Sequence, residues 1–116
     1  MKDISSEIEY RGRKYMIIFN INVMEVVQEE YGSIQAWGEK IEPTDGSEPN
    51  IKALKFGLTA MINEGIDINN EKSGKSEAHM NLAQVGRLIT EIGMQEAAKE
   101  LSNVVVKSMQ SAEKNE

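Results

Sequence analysis

Several residue types that carry chemistry are missing or scarce in this chain of 116 residues, which contains no cysteine and only one histidine. Without cysteine there is no disulfide framework and no thiolate nucleophile. A lone histidine, His79, would leave any transition-metal site dependent on carboxylates, so we predict no metal and no cofactor. No glycine pattern of a nucleophile elbow and no serine, histidine and acid arrangement is present. We therefore predict that the protein is not an enzyme.

Positive charge is also scarce, with 13 basic against 19 acidic side chains and a net charge of −6. Because an acidic chain repels phosphate backbones, we predict no general nucleic-acid binding. No apolar stretch is long enough to span a bilayer, and the first ten residues contain no signal-peptide core. With 40% hydrophobic and 28% charged residues, we expect an intracellular protein with one globular domain over residues 1–116.

Two alternating segments at the start of the chain predict a β-hairpin over residues 1–19. In the first, Ile4, Ser6, Ile8 and Tyr10 alternate with Ser5, Glu7 and Glu9. In the second, Tyr15, Ile17 and Phe19 alternate with Met16 and Ile18. A type II′ turn centred on Gly12-Arg13 would set Tyr10 opposite Tyr15 and Ile8 opposite Ile17. A hairpin alone is marginally stable, so we expect its apolar face to lie on helices.

The stretch of residues 50–65 predicts a helix at the centre of the fold, with Ser47 or Asn50 as its N-cap. Its apolar and small residues occupy most of the circumference, which requires cover on several sides. The polar side chains fall on one narrow strip, and they are Lys52, Lys55, Thr59 and Asn63.

Capping residues mark the other helices of a helical part that covers residues 20–112. Asn22 and Glu25 read as a capping box for a helix with a stripe of Val23, Val26, Val27 and Tyr31, ending at Gly32. Ser33 would cap a short helix, 34–41, which contains Trp37. Residues 42–49 read as an exposed loop, and residues 66–80 contain the least ordered-looking stretch, a polar loop over residues 69–77 whose role the sequence leaves open. Asn81 and Gln84 form a second capping box for a helix that ends at Gly93, with a stripe of Leu82, Val85, Leu88, Ile89 and Ile92.

The C-terminal helix, residues 94–112, carries a heptad-spaced apolar stripe that runs from Met94 to Ala112, and residues 113–116 are expected to fray. If the stripe packs inward, the helix simply closes the core. If part of it stays exposed, it offers apolar surface to a partner helix. The candidate partner-binding residues are Leu101, Val104, Val105 and Met109. We therefore predict an α+β, mostly α fold, with an N-terminal β-hairpin packed on a bundle of about five helices.

Three short motifs resemble binding sites, but each lacks residues that the corresponding site requires. Gly74-Lys75-Ser76 resembles the end of a phosphate-binding loop, but the required glycine five residues earlier is Asn69. The run that begins at Asp67 resembles a calcium loop, yet its sixth and twelfth positions are Lys72 and Ala78. The segment 85–92 could be a DNA recognition helix, although Arg87 is its only cation.

The order of these elements resembles a known family. A hairpin ending in KYMIIF leads into a helix ending in EEYGS, followed by IKALKFGLTAMINEG, LAQVGRLITEIG and an amphipathic C-terminal helix. This pattern, over residues 15–106, is similar to the tail assembly chaperones of long-tailed phages and prophages of Gram-positive hosts. The matching residues look like fold determinants, and they are Phe19, Tyr31, Gly32, Gly65, Val85, Gly86 and Leu88.

The resemblance implies a non-enzymatic assembly factor of the host bacterial cytoplasm, absent from the mature virion. Members of that family coat the tape measure protein and help recruit tail tube protein around it. The chain would correspond to the shorter of two forms that frameshifting produces. The sequence leaves open whether the protein is a homo-oligomer. The alternative from another class is a small prophage DNA-binding or regulatory protein.

Overall fold

The computed structural model describes residues 5–114, with side chains through residue 110, as an α+β fold that is mostly helical. This confirms the predicted fold class. Within the described residues an antiparallel two-stranded sheet is followed by five helices. The elements are β1 (Ser5–Tyr10), β2 (Arg13–Ile18), α1 (Ile21–Tyr31), α2 (Ile34–Ile41), α3 (Ile51–Ser73), α4 (Leu82–Ile92) and α5 (Met94–Lys114).

The hairpin turn differs from the predicted one. Arg11 and Gly12 have φ of 54° and 77°, so the two-residue loop is a type I′ turn, whose twist matches that of the strands. The register pairs Tyr10 with Arg13 and Ile8 with Tyr15, so the predicted Tyr10–Tyr15 pair is wrong. A shift of two residues leaves every side chain on its original face, which is why Ile8 and Tyr10 are still buried.

Helix α3 is the central element, as predicted. It contacts β2 and each of the other four helices. Asn50, and not Ser47, is its N-cap, because the Asn50 side chain accepts a hydrogen bond from the backbone N–H of Ala53 at 2.9 Å. Eight of its residues are buried along its length, and they are Ala53, Leu54, Gly57, Leu58, Met61, Ile62, Gly65 and Ile66.

The helix also continues further than the sequence predicted. Residues 66–73, which include the first five residues of the polar loop predicted over 69–77, form its last turns, and the helix ends at Gly74 with φ of 75°. Gly65 does not end the helix, because it lies in the helix interior against the backbone of Met16. Ile66 is buried next to it, so this apolar contact extends the helix beyond the point where the composition turns polar.

A return segment, defined here as residues 75–80, runs back along α3. Three side chains on one face of α3 form hydrogen bonds with this segment. Because the segment runs antiparallel to the helix, later helix residues pair with earlier segment residues: Asn63 with Met80, Asp67 with His79 and Asn70 with Glu77. The helix positions are four and three residues apart, which is the spacing of neighbours on one helical face. Each asparagine both donates to a carbonyl and accepts from an N–H, so that it replaces two backbone hydrogen bonds.

Replacing Asn63 with alanine tests this arrangement. Asn63 donates to the Met80 carbonyl at 3.0 Å and accepts from the Met80 N–H at 2.8 Å. Removing both bonds next to a buried methionine should lower the free energy of unfolding by about 1–3 kcal/mol. Chemical denaturation gives this cost, and hydrogen exchange at the Met80 amide shows where it arises. Asn69→Ala, an exposed neighbour on α3, is the control; equal costs for the two variants would contradict the role of Asn63.

The caps of the other helices are partly as predicted. Helix α1 begins after Asn20, and not after Asn22, because the Asn20 side chain accepts from the Val23 N–H and donates to Glu64 at 2.7 Å. Val23 and Val27 are buried, whereas Val26 is 37% exposed and does not belong to the buried stripe. The caps at Ser33 and Gly32 are confirmed.

Helix α4 has the predicted capping box of Asn81 and Gln84 and ends at Gly93. Three residues of its predicted stripe are buried and Ile92 is half-buried, but Leu82 is 52% exposed. Helix α5 extends to Lys114, and residues 115–116 of the tail predicted to fray lie outside the described residues.

Candidate partner-binding groove

The four residues predicted to bind a partner lie on α5 in different environments. Leu101 and Val104 are only 1% and 2% exposed, so they close the core in this structure. Val105 is half-buried, and Met109 is 37% exposed. The partner role of the four stays a prediction, but only Val105 and Met109 have side-chain surface available for it. Val106, which was not among the four, is 52% exposed.

A more continuous apolar surface lies between the start of α3 and the outer face of α4. It is a groove of about 440 Å³, called here the α3–α4 groove, and its lining residues are Ile51, Lys55, Ala83, Gly86, Arg87, Ile89, Thr90 and Met94. Its position follows from the fold: α4 buries Val85, Leu88 and Ile89, the groove begins at Ile89, and the other α4 residues that line it lie on the less buried side of the helix.

Small residues form the floor of this groove. Ala83, Gly86 and Thr90 are spaced three and four apart, so they lie on one face of α4. The Thr90 hydroxyl donates to the Gly86 carbonyl at 2.8 Å, so its hydrogen bond is made within the helix. A floor of this kind allows the backbone of another helix to approach closely.

Larger apolar side chains border the floor. Ile51, in the first turn of α3, is 61% exposed. Covering its side chain with a partner would remove apolar surface from water and would therefore be favourable. Met94 lines the other end at the junction of α4 and α5 and is half-buried. Methionine suits such a surface because its flexible thioether adapts to different partners.

The two charged residues of the groove are both cations. Lys55 comes from α3 and Arg87 from α4, and no aspartate or glutamate is among the described residues that line the groove. The Lys55 side chain lies across Gly86, since a Cβ built on that glycine would be 3.5 Å from Cε and Nζ of the lysine. Sequence reasoning placed Lys55 on the polar strip of α3 and Arg87 on α4, but it did not bring them together.

A second cavity of about 270 Å³ lies between β2 and α3 and is lined mostly by polar residues. Two of its charged residues, Arg13 and Glu77, pair with each other. Arg13 forms an ion pair with Glu77 of the return segment, and its guanidinium carbon lies 4.7 Å from the centre of the Tyr15 ring. At the hairpin turn, Arg11 is 4.0 Å from Glu91 of α4. These contacts connect the basic hairpin turn to α4 and to the return segment.

Among the described residues, no three histidine or acidic side chains are placed together to hold a metal ion. Burial, and secondarily the charge of Glu30, raises the pKa of Tyr31. Hydrogen bonds from Ser47 lower the pKa of Asp45 in the exposed loop. Asp67 lies on helix α3 and Gly74 ends it, so neither motif forms the loop that calcium or phosphate binding requires.

Comparison with known proteins adds no relative: no protein-family model, curated protein or solved structure matches the chain. Within residues 5–114, no helix combines the length and apolar character needed to cross a bilayer.

Proposed function

We propose that this protein is a phage tail assembly chaperone that binds an apolar helix of the tape measure protein and helps recruit tail tube subunits. It acts in the cytoplasm of the bacterial host and is absent from the mature virion. The order of elements in the sequence, similar to that family, supports the proposal. The single structural observation that carries it is the α3–α4 groove, an apolar surface with a floor of small residues.

The groove has the features that helix-in-groove recognition uses. An amphipathic helix lays its apolar face into such a surface, and residues one turn apart act as anchors. The floor from Ala83 to Thr90 spans about 10 Å at 1.5 Å per residue, which is about two helical turns. Ile51 and Met94 border the floor and add apolar contact. A net charge of −6 helps to keep a complex with an apolar client in solution.

Co-expression with the tape measure protein of the same phage tests the proposal. We expect the two proteins to copurify and the soluble fraction of the tape measure protein to increase when the chaperone is present. If the two proteins do not copurify and the tape measure protein does not become more soluble, the proposal is wrong. A mobility-shift assay at moderate salt tests the DNA-binding alternative, for which we expect no retardation because the chain is acidic.

Gly86→Leu tests whether the client lies in this groove. A leucine at this position fills the floor, and the nearest side chain, Lys55, is flexible and able to move aside. We expect capture of the tape measure protein to fall by about 5- to 150-fold, since one misplaced side chain in a helix interface costs about 1–3 kcal/mol. Stability should rise by about 0.8 kcal/mol, because leucine favours helix over glycine.

Gly38→Leu is the matched control, because Gly38 also lies inside a helix and a Cβ there meets nothing within 4 Å. It should raise stability by a similar amount and leave capture unchanged. Unchanged capture by Gly86→Leu, or an equal loss in both variants, would place the client on another surface.

A further inference from the structure

We propose that the α3–α4 groove selects a client helix that carries carboxylate side chains beside its apolar stripe, with Lys55 and Arg87 as the groups that bind them. This inference rests on the proposed function and adds to it the chemical class of the segment that the groove accepts.

The first observation is that the two cations have no acidic partner among the side chains that the structure describes. The other arginines, at the hairpin turn, are paired, Arg11 with Glu91 and Arg13 with Glu77. Within residues 5–114, no ion pair includes Lys55 or Arg87. Both side chains nevertheless line an apolar groove, and a client that covers the groove excludes water and so strengthens their interaction with its charges.

The second observation is that these cations differ from the charge of the molecule as a whole. A chain with a net charge of −6 repels an acidic helix over most of its surface. At the groove the same helix meets two cations and no carboxylate. Because the charge is positive in the groove and negative over the molecule as a whole, an acidic amphipathic helix is directed to this site and other orientations are disfavoured.

The two side chains would act in different ways. The Lys55 stem lies on the floor at Gly86, and its flexible chain lets the ammonium move to the rim while the methylenes contact the client. Arg87 is exposed on α4 and has a planar fork that binds one carboxylate through two hydrogen bonds. A client with acidic residues on both sides of its apolar stripe engages both cations at once.

Three synthetic amphipathic helices test the inference by fluorescence anisotropy. They share one leucine stripe, and the positions beside it are all glutamate, all glutamine or all lysine. We expect the wild-type protein to bind the glutamate peptide about tenfold more tightly than the glutamine peptide, and the lysine peptide most weakly. The double variant Lys55→Glu, Arg87→Glu should reverse this order. An order that does not depend on peptide charge would overturn the inference.

The matched control is Lys75→Glu, Lys107→Glu, which makes the same change in net charge at two exposed positions outside the groove. Lys75 follows the end of α3, and Ser73, the last residue of that helix, is about 27 Å from Lys55 at 1.5 Å per residue. The control should keep the wild-type order of the peptides. A reversal in the control would show a general effect of net charge and overturn the inference.

Two further outcomes separate this inference from the proposed function. If the tape measure protein copurifies with the wild-type chain but the peptides bind without charge preference, only the selectivity proposed here fails. If the tape measure protein does not associate but the glutamate peptide still binds more tightly than the glutamine and lysine peptides, the proposed function is wrong and the charge selectivity of the groove is retained. A wild-type dimer in sedimentation that Gly86→Leu converts to monomer would make a second copy the occupant and overturn the inference.

Discussion

Replacing Gly57 with alanine is expected to lower the free energy of unfolding by about 3 kcal/mol, the upper end of the usual cost of overpacking a core. A Cβ at this position would lie 2.2 Å from Cζ2 and 2.9 Å from Cε2 of Trp37. Alanine also favours helix over glycine by about 1 kcal/mol, so the steric cost is larger than the net loss. Urea denaturation of the purified variant measures this difference.

The Trp37 ring cannot move away from the new methyl group without losing other contacts. It is fully buried, and its Nε1–H donates to the Ala53 carbonyl at 3.1 Å. Its plane lies 4° from that of Phe19, with the ring centres 5.9 Å apart. Any shift of the ring therefore breaks a buried hydrogen bond or disturbs a packed aromatic pair, and both cost free energy.

Two control variants isolate the steric effect at Gly57. Gly38→Ala measures the gain in helix propensity alone, because no atom lies within 4 Å of the added Cβ. Trp37→Phe, combined with Gly57→Ala, gives the alanine the space that the larger ring occupies. The double-mutant cycle should show a favourable coupling of more than about 1 kcal/mol. A Gly57→Ala protein as stable as Gly38→Ala would show that this contact is absent.

Features that depend on a few neighbouring residues could be predicted from the sequence. The capping box of Asn81 and Gln84, the cap at Ser33 and the helix end at Gly93 were identified correctly. Each of these is made by a side chain or a glycine acting within one helical turn, so the local sequence contains the whole interaction. The central helix was recognised because its apolar residues cover most of its circumference.

Features that depend on distant residues could not be predicted. The cap at Asn20 is reinforced by Glu64, and the last turns of α3 are held by the return segment. At the hairpin, two turn types fit the same glycine, and only the observed register shows that Arg11 adopts a positive φ. In each case a polar pattern was compatible with two local structures, and a tertiary contact decided between them.

The candidate site is a similar case. The small residues on α4 were visible in the sequence, but the groove exists because Ile51 and Lys55 of α3 stand beside them. The C-terminal stripe was the more conspicuous candidate, and the fold uses Leu101 and Val104 of that stripe in the core. An apolar stripe predicts burial but does not distinguish the core of the same chain from a partner.

Replacing Gly65 with alanine is expected to destabilise the protein by about 3 kcal/mol and to act first on the hairpin. A Cβ at Gly65 would lie 2.3 Å from the carbonyl oxygen of Met16 and 3.1 Å from its carbonyl carbon. These atoms belong to the backbone of β2, so no side-chain rotation relieves the clash. Strand β2 must then move away from α3, and Ile17, which is fully buried, would lose part of its cover.

Hydrogen exchange of the variant locates this effect, because β1 and β2 pair only with each other among the described residues and the hairpin depends on α3 for its stability. Amides of β1 and β2 should exchange faster by about a hundredfold, the factor that corresponds to about 3 kcal/mol at the hairpin. Amides of α4 should be affected less, since α4 packs on a different part of α3. Gly86→Ala, a helical glycine whose Cβ would meet only the flexible Lys55 side chain, serves as the control and should leave hairpin exchange unchanged. If hairpin protection in Gly65→Ala matched that of the control, the close approach of β2 to α3 would not determine the position of the hairpin.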